Sequence, residues 1–201
     1  MNYVMSDIHG CYEHFIKMLE LIDFTDSDTL IIIGDVLDRG PKPVKLLRDI
    51  MKRENVRLLF GNHEYNWIHN VDKITNNAFL ISSPAEQEKI LNYLNDLPYY
   101  ITTDKYLFVH TLPKGFNKET PIEKYKKSHL LFHRDIDYGQ NFYDDKTIII
   151  GHTPTLFIDK EFAGKIYKRE GIINIDCGCI YSKRGGRLGC LRLDDMNEYY
   201  V

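Results

Sequence analysis

No stretch of this 201-residue sequence approaches the ~20 consecutive apolar residues that a membrane-spanning helix needs. The opening Tyr3-Val4-Met5 is too brief for the apolar core of a secretion signal. Cysteine is scarce. Cys11, Cys177, Cys179 and Cys190 are too few for a disulfide-stapled scaffold. Cys177-Gly178-Cys179 lacks the two-residue spacer of zinc knuckles and thioredoxin-like motifs. Neither sign of charge dominates: the formal net charge of −3 removes any general pull toward nucleic acid or anionic membrane. Repeats, low-complexity tracts and linkers are missing too. These absences predict one cytoplasmic domain over residues 1–201, with buried reduced thiols and no nucleic-acid or membrane partner. The oligomeric state stays open.

What is present is an ordinary globular balance, 43% apolar and 27% charged, enough for one core. Three short strings stand out: Asp7-Ile8-His9-Gly10, Gly34-Asp35-Val36-Leu37-Asp38-Arg39-Gly40 and Gly61-Asn62-His63-Glu64. Each follows a short apolar run, at Tyr3–Met5, Leu30–Ile33 and Val56–Phe60, that reads as a buried strand. Open α/β sheets place their sites at the carboxyl edge of such strands. Asp, His, Asp, Asn and His together form an oxygen and nitrogen donor set suited to hard or borderline divalent cations. Strand alternation would point Asp7 and His9 the same way, toward one ion. Asp35 has two oxygens with which to bridge two ions, and Asn62 adds a neutral oxygen. His110 and His152 each follow an apolar run and so occupy the same kind of position. His14, His69 and His129 read as packed or surface residues. His129 and His133 have a helical ligand spacing, but Leu130 stands where a zinc protease motif carries glutamate. His63, beside Asn62 and with Asp38 to fix its tautomer, reads as a general acid. Arg39 could grip phosphate oxygens.

Along the chain, apolar spacing predicts helices over about 12–22 and from Pro43 through Met51, alternating with strands at 29–33 and 56–60. That is a parallel β-α-β-α-β run. Residues 65–98 read as a polar, helical insert at the rim of the cleft, with Ser83-Pro84-Ala85-Glu86 as a capping box. Strand signals follow at 99–102, 106–110, 147–150, 172–176 and 188–193, with loops and one helix near 121–131 between them. The second half therefore reads as a mixed or antiparallel sheet facing the first. Lys124, Lys126 and Lys127 read as a solvated face, whereas Lys183, Arg184 and Arg187 lie among glycines near the expected site edge.

Five strings in order, D-x-H-G, G-D-x-x-D-R-G, G-N-H-E, Val109-His110 and Gly151-His152, resemble the phosphoprotein phosphatases among the calcineurin-like metallophosphoesterases. The likeness runs from residue 7 to the closing Ile175-Asp176-x-Gly178 and Gly186-Arg187-Leu188. It implies an α/β fold of two facing mixed β-sheets flanked by helices. It implies that Asp7, His9 and Asp35 bind one metal ion, and Asp35, Asn62, His110 and His152 a second. His63 would be the acid oriented by Asp38, Arg39 and Asn62 would contact phosphate, and Phe132-His133-Arg134-Asp135 suggests Arg134 as a second phosphate grip. The expected cofactor is a pair of divalent ions, Mn2+ by likeness to bacterial members, with Fe or Zn2+ as alternatives.

Three departures bear on substrate. Phe60 replaces an arginine common before G-N-H-E, Thr111 replaces a small residue, and Cys177 and Cys179 stand where bacterial relatives commonly show D-T-G-A. Asp38 and Glu64 favour the protein-phosphatase branch over the diadenosine tetraphosphate hydrolases, which usually lack that aspartate and carry G-N-H-D. The expected activity is a Ser/Thr, or dual-specificity, protein phosphatase that uses a two-metal bridging hydroxide on a phosphorylated protein or peptide. A bis(5'-nucleosyl)-tetraphosphatase is the alternative, and a non-catalytic module using a degenerate phosphatase fold the remote one.

Overall fold

The computed structural model describes residues 1–69, 83–140 and 142–201. Its first sheet has the strand order β10-β9-β1-β2-β3, with β1 (Asn2–Met5), β2 (Thr29–Ile32), β3 (Val56–Leu58), β9 (Gly189–Arg192) and β10 (Glu198–Tyr200). Its second has the order β4-β5-β6-β8-β7, with β4 (Tyr100–Thr102), β5 (Tyr106–Val109), β6 (Thr147–Ile150), β7 (Tyr167–Arg169) and β8 (Ile172–Asn174). The pairs β1–β2, β2–β3, β5–β6 and β6–β8 are parallel and the pairs β1–β9, β9–β10, β4–β5 and β7–β8 antiparallel, so both sheets are mixed, as expected.

Alternation along each strand builds three apolar layers. Val4, Ile31 and Ile33 face Phe108, Ile149 and Ile173 between the sheets. Tyr3, Met5, Leu30 and Ile32 point the other way, onto α1 (Tyr12–Leu21) and α2 (Pro43–Ile50). Leu107, Val109, Ile148 and Ile150 cover the outer face of the second sheet with Phe116, Leu130 and Phe142. Strands buried on both faces explain why the sequence shows continuous apolar runs there.

The expected insert divides. Helix α3 (Asn62–His69) continues from the third string, and α4 (Pro84–Asn95) opens on Ser83, whose hydroxyl accepts from the Glu86 amide at 3.3 Å. The remainder of the insert, residues 70–82, lies outside the described residues. Helix α4 is docked on the helical layer: Ile90 and Leu94 are buried, and Glu86 accepts from Arg48 Nη2 at 2.8 Å.

Two expectations are corrected. The strand near 188–193 belongs to the first sheet, where β9 pairs antiparallel with β1. The helix expected near 121–131 is two short pieces, a 3-10 turn at Ile122–Lys124 and α5 (His129–Phe132). Tyr125 is extended between them, so the buried Ile122, Leu130 and Leu131 imitate a helical stripe without forming one.

Candidate functional site

The five strings meet where the two sheets present their carboxyl ends, but strand alternation is not what aligns them. Asp7, His9, Asp35 and His152 lie past their strands with left-handed backbone, at φ of 49°, 48°, 55° and 69°. Four non-glycine residues in that sparsely populated region, all at one locus, mark strain held in place by the surrounding fold. Close approach assists. A Cβ on Gly151 would lie 2.2 Å from Asp7 Oδ2, and one on Gly61 would lie 2.3 Å from Asp35 Oδ1.

The bare glycines let two buried donor groups form. In the first, His9 Nε2 lies 4.0 Å from Asp7 Oδ1 and 3.8 Å from Asp35 Oδ2. In the second, His110 Nε2 lies 3.0 Å from Asn62 Oδ1, 3.1 Å from His152 Nδ1 and 3.5 Å from Asp35 Oδ1. Asp35 thus turns one oxygen toward each group.

Tautomers follow from the backbone. His9 Nδ1 faces the Leu37 carbonyl at 3.1 Å and His110 Nδ1 the Ile33 carbonyl at 2.9 Å. A carbonyl can only accept, so each Nδ1 carries the proton and each Nε2 keeps its lone pair for the cavity. Burial lowers the pKa of His9 and of His152, which favours neutral rings. Burial raises Asp35, and the charges of Asp7 and Glu64 add to that while His63 opposes it. Asp7 Oδ1 is buried with no hydrogen-bond partner among the described residues. Lone pairs crowded together, with an orphaned carboxylate oxygen beside them, fit divalent cations.

The remaining site residues surround these groups. His63 Nδ1 lies 2.7 Å from Asp38 Oδ2, its Nε2 faces Asp35 Oδ2 at 3.9 Å, and its ring stands edge-on to His9. Burial alone would depress its pKa. The Asp38 hydrogen bond and the Asp35 and Asp38 charges outweigh burial and the opposing Arg39 charge, so the imidazolium is favoured. Arg39 and Arg134 are exposed. Arg134 donates from Nη1 to the His152 carbonyl at 2.7 Å, which leaves other donors of its fork available.

Three residues gained no role from the sequence. Glu64 is fully buried and accepts from the amides of Asp35, Val36, Leu37 and Gly61 at 2.8–3.2 Å. Trp67 Nε1 donates to Asp38 Oδ1 at 2.8 Å, so Asp38 is held from both sides. Asp176 is buried; burial first, then the charges of Asp7 and Asp35, push its pKa up. The spacing of Glu64 and Trp67 from His63 on α3 was the only available signal, since their partners lie some 30 residues away.

Two facing mixed sheets thus carry paired donor groups at their shared edge. The calcineurin-like phosphoesterase model matches residues 3–176, and the chain belongs to that family. Curated relatives are named symmetrical bis(5'-nucleosyl)-tetraphosphatase. That of Wigglesworthia glossinidia brevipalpis is 38% identical over 96 residues, covering 47% of this chain and 33% of the relative. That of Salmonella typhimurium is 35% identical over 105 residues, covering 48% and 37%. The matched stretch spans little more than a third of these relatives. Among solved structures, a putative diadenosine tetraphosphatase superimposes with a TM-score of 0.72 at 21% identity, covering all of this chain and 92% of that one. A protein serine/threonine phosphatase from Saccharomyces cerevisiae superimposes with a TM-score of 0.69 at 16% identity, covering all of this chain and 78% of that one. At such identities the superpositions report the fold. No helix among the described residues is long and apolar enough to cross a membrane.

The named relatives overturn the expected Ser/Thr protein phosphatase activity and its phosphoprotein partner. The physical reason lies in the two residues that carried that expectation. Asp38 orients His63 and Glu64 ties down the loop after β2. Both side chains are engaged within the protein, so neither bears on the group attached to a phosphate.

Proposed function

We propose that this protein hydrolyses dinucleoside polyphosphates, cleaving a dinucleoside tetraphosphate and water into two nucleoside diphosphates. The observation that carries this reading is the 38% identity to a symmetrical bis(5'-nucleosyl)-tetraphosphatase. The rim of the site supports it. Phe132 is 45% exposed, stands edge-on to Tyr65 at 5.5 Å and precedes the Arg134 segment. An exposed ring beside an exposed guanidinium suits a nucleobase next to its phosphates.

In this reading Asp7, His9 and Asp35 hold one divalent ion, and Asp35, Asn62, His110 and His152 the other. When bound, such a pair supplies a water of lowered pKa and positive charge against the phosphate oxygens. The protein does the rest. Arg39 and Arg134 orient the polyphosphate and offset charge on its oxygens. His63, held by Asp38 as the donor, passes a proton to the departing diphosphate oxygen. Mn2+ is the proposed ion, since both donor groups are free of sulfur and combine oxygen with imidazole nitrogen.

Incubation of the metal-loaded protein with diadenosine tetraphosphate, with products separated by anion exchange, tests the assignment. ADP as sole product, formed with higher kcat/KM than phosphate from a phosphoserine peptide, is the expected result. ATP with AMP, or a preference for the peptide, would overturn it.

A further inference from the structure

A second donor cluster of different chemistry lies behind the phosphoesterase centre. Cys11 Sγ, Cys179 Sγ and a ring nitrogen of His14 all lie within 4.8 Å of one another. Both cysteines are buried and free, and His14 is half-buried. The fold brings them from opposite ends of the chain. Cys11 occupies the position before the first turn of α1, and the His14 amide donates to its carbonyl, which puts the two side chains on one face of the helix. Cys179 arrives from the loop after β8, immediately past Gly178 with its left-handed backbone.

Cys177, the neighbour that the sequence would pair with Cys179, is turned away: its sulfur packs against Gly189 on β9. The proposed phosphoesterase chemistry uses none of Cys11, His14 and Cys179. Donors around a tetrahedral zinc ion, with bonds of about 2.0–2.3 Å, sit roughly 3.5–3.8 Å apart. The observed cluster is within small side-chain rotations of that spacing.

We propose that Cys11, His14 and Cys179 form a third metal site, selective for a thiophilic cation such as Zn2+. Its two sulfurs and one imidazole distinguish it from the sulfur-free donor groups at the sheet edge, so softness of the cation sorts the two locations. The half-buried imidazole marks the solvent side, where a water completes the tetrahedron. Occupancy ties the turn that carries His9 to the loop that carries Asp176, clamping the floor of the phosphoesterase centre from behind.

Cd2+ titration of the 201-residue chain, followed by thiolate-to-metal charge-transfer absorption, reads this site alone, because the donors at the sheet edge contain no sulfur. One thiolate-bound ion per chain is expected. The absorption should vanish in Cys11→Ser and in Cys179→Ser, require at least tenfold more Cd2+ in His14→Ala, and persist in Cys177→Ser. On the unaltered protein, Cd2+ should also slow alkylation of Cys11 and Cys179, mapped by peptide mass, and leave Cys177 and Cys190 unchanged. Absence of the absorption in the native chain, its survival without both cysteines, or a Cys11–Cys179 disulfide in protein prepared without reductant would overturn the site.

Discussion

Asp38 Oδ2 lies 2.7 Å from His63 Nδ1, and the indole of Trp67 holds the other oxygen of the same carboxylate. The ring of His63 therefore has one orientation before any substrate arrives. That fixes Nε2 as the atom turned to the cavity.

Trp67→Phe keeps the ring packing and removes the donor to Asp38. Losing one hydrogen bond to a charged group corresponds to about 1.5 kcal/mol, or roughly tenfold in rate. Steady-state kinetics should show kcat down by that factor with metal content unchanged. An unaltered kcat would mean that Asp38 needs no second anchor.

His63→Asn should lower turnover by about 10²–10⁴-fold without emptying the metal centre. The loss should depend on the leaving group. A nucleoside diphosphate leaves more easily than an alkoxide, so diadenosine tetraphosphate should sit at the low end of that range and an alkyl phosphate at the high end. Equal losses on both would reassign His63 to positioning.

Asp35→Asn should release both ions, because one carboxylate faces both donor groups and an amide lacks the charge. Metal analysis of the purified variant checks this. Two retained ions per chain would contradict a shared ligand.

Metal-stripped protein should recover most turnover with Mn2+ on add-back. Recovery dominated by Zn2+ or Mg2+ would refute the choice of ion and leave the ligand assignments untouched.

Phe132→Ala should raise KM for diadenosine tetraphosphate about tenfold, the scale of one lost base–aromatic stack. The same change should leave KM for p-nitrophenyl phosphate alone. A uniform loss on both substrates would remove Phe132 from base recognition.

Much of this molecule was legible in its sequence, and the legible parts share a physical basis. β1, β2 and β6 are buried on both faces, so their apolar runs were continuous and their ends sharp. The six expected ligands follow such runs, which is why all of them converge. What escaped was non-local or very short. Tyr167–Arg169 and Glu198–Tyr200 are three-residue outer strands with too few positions to show alternation. Glu64 reads as an ordinary first-turn acid until the loop after β2 is seen to donate to it. The nearness of His14 to Cys179 is likewise a contact between residues distant in sequence.

The pairing of β1 with β9, through Met5 and Cys190, also dictates an order of events during synthesis. A growing chain that has made Asp7, His9, Asp35 and Asn62 still lacks His110 and His152. Its β1 has β2 on one side and an open, apolar edge on the other until residue 190 emerges. Such late long-range pairing slows folding, and an unpaired strand invites association with other chains. A ribosome-bound fragment ending before β9 is thus a sticky half-sheet. Completion of the first sheet therefore waits for β9 and β10, well after His152 has completed the second donor group.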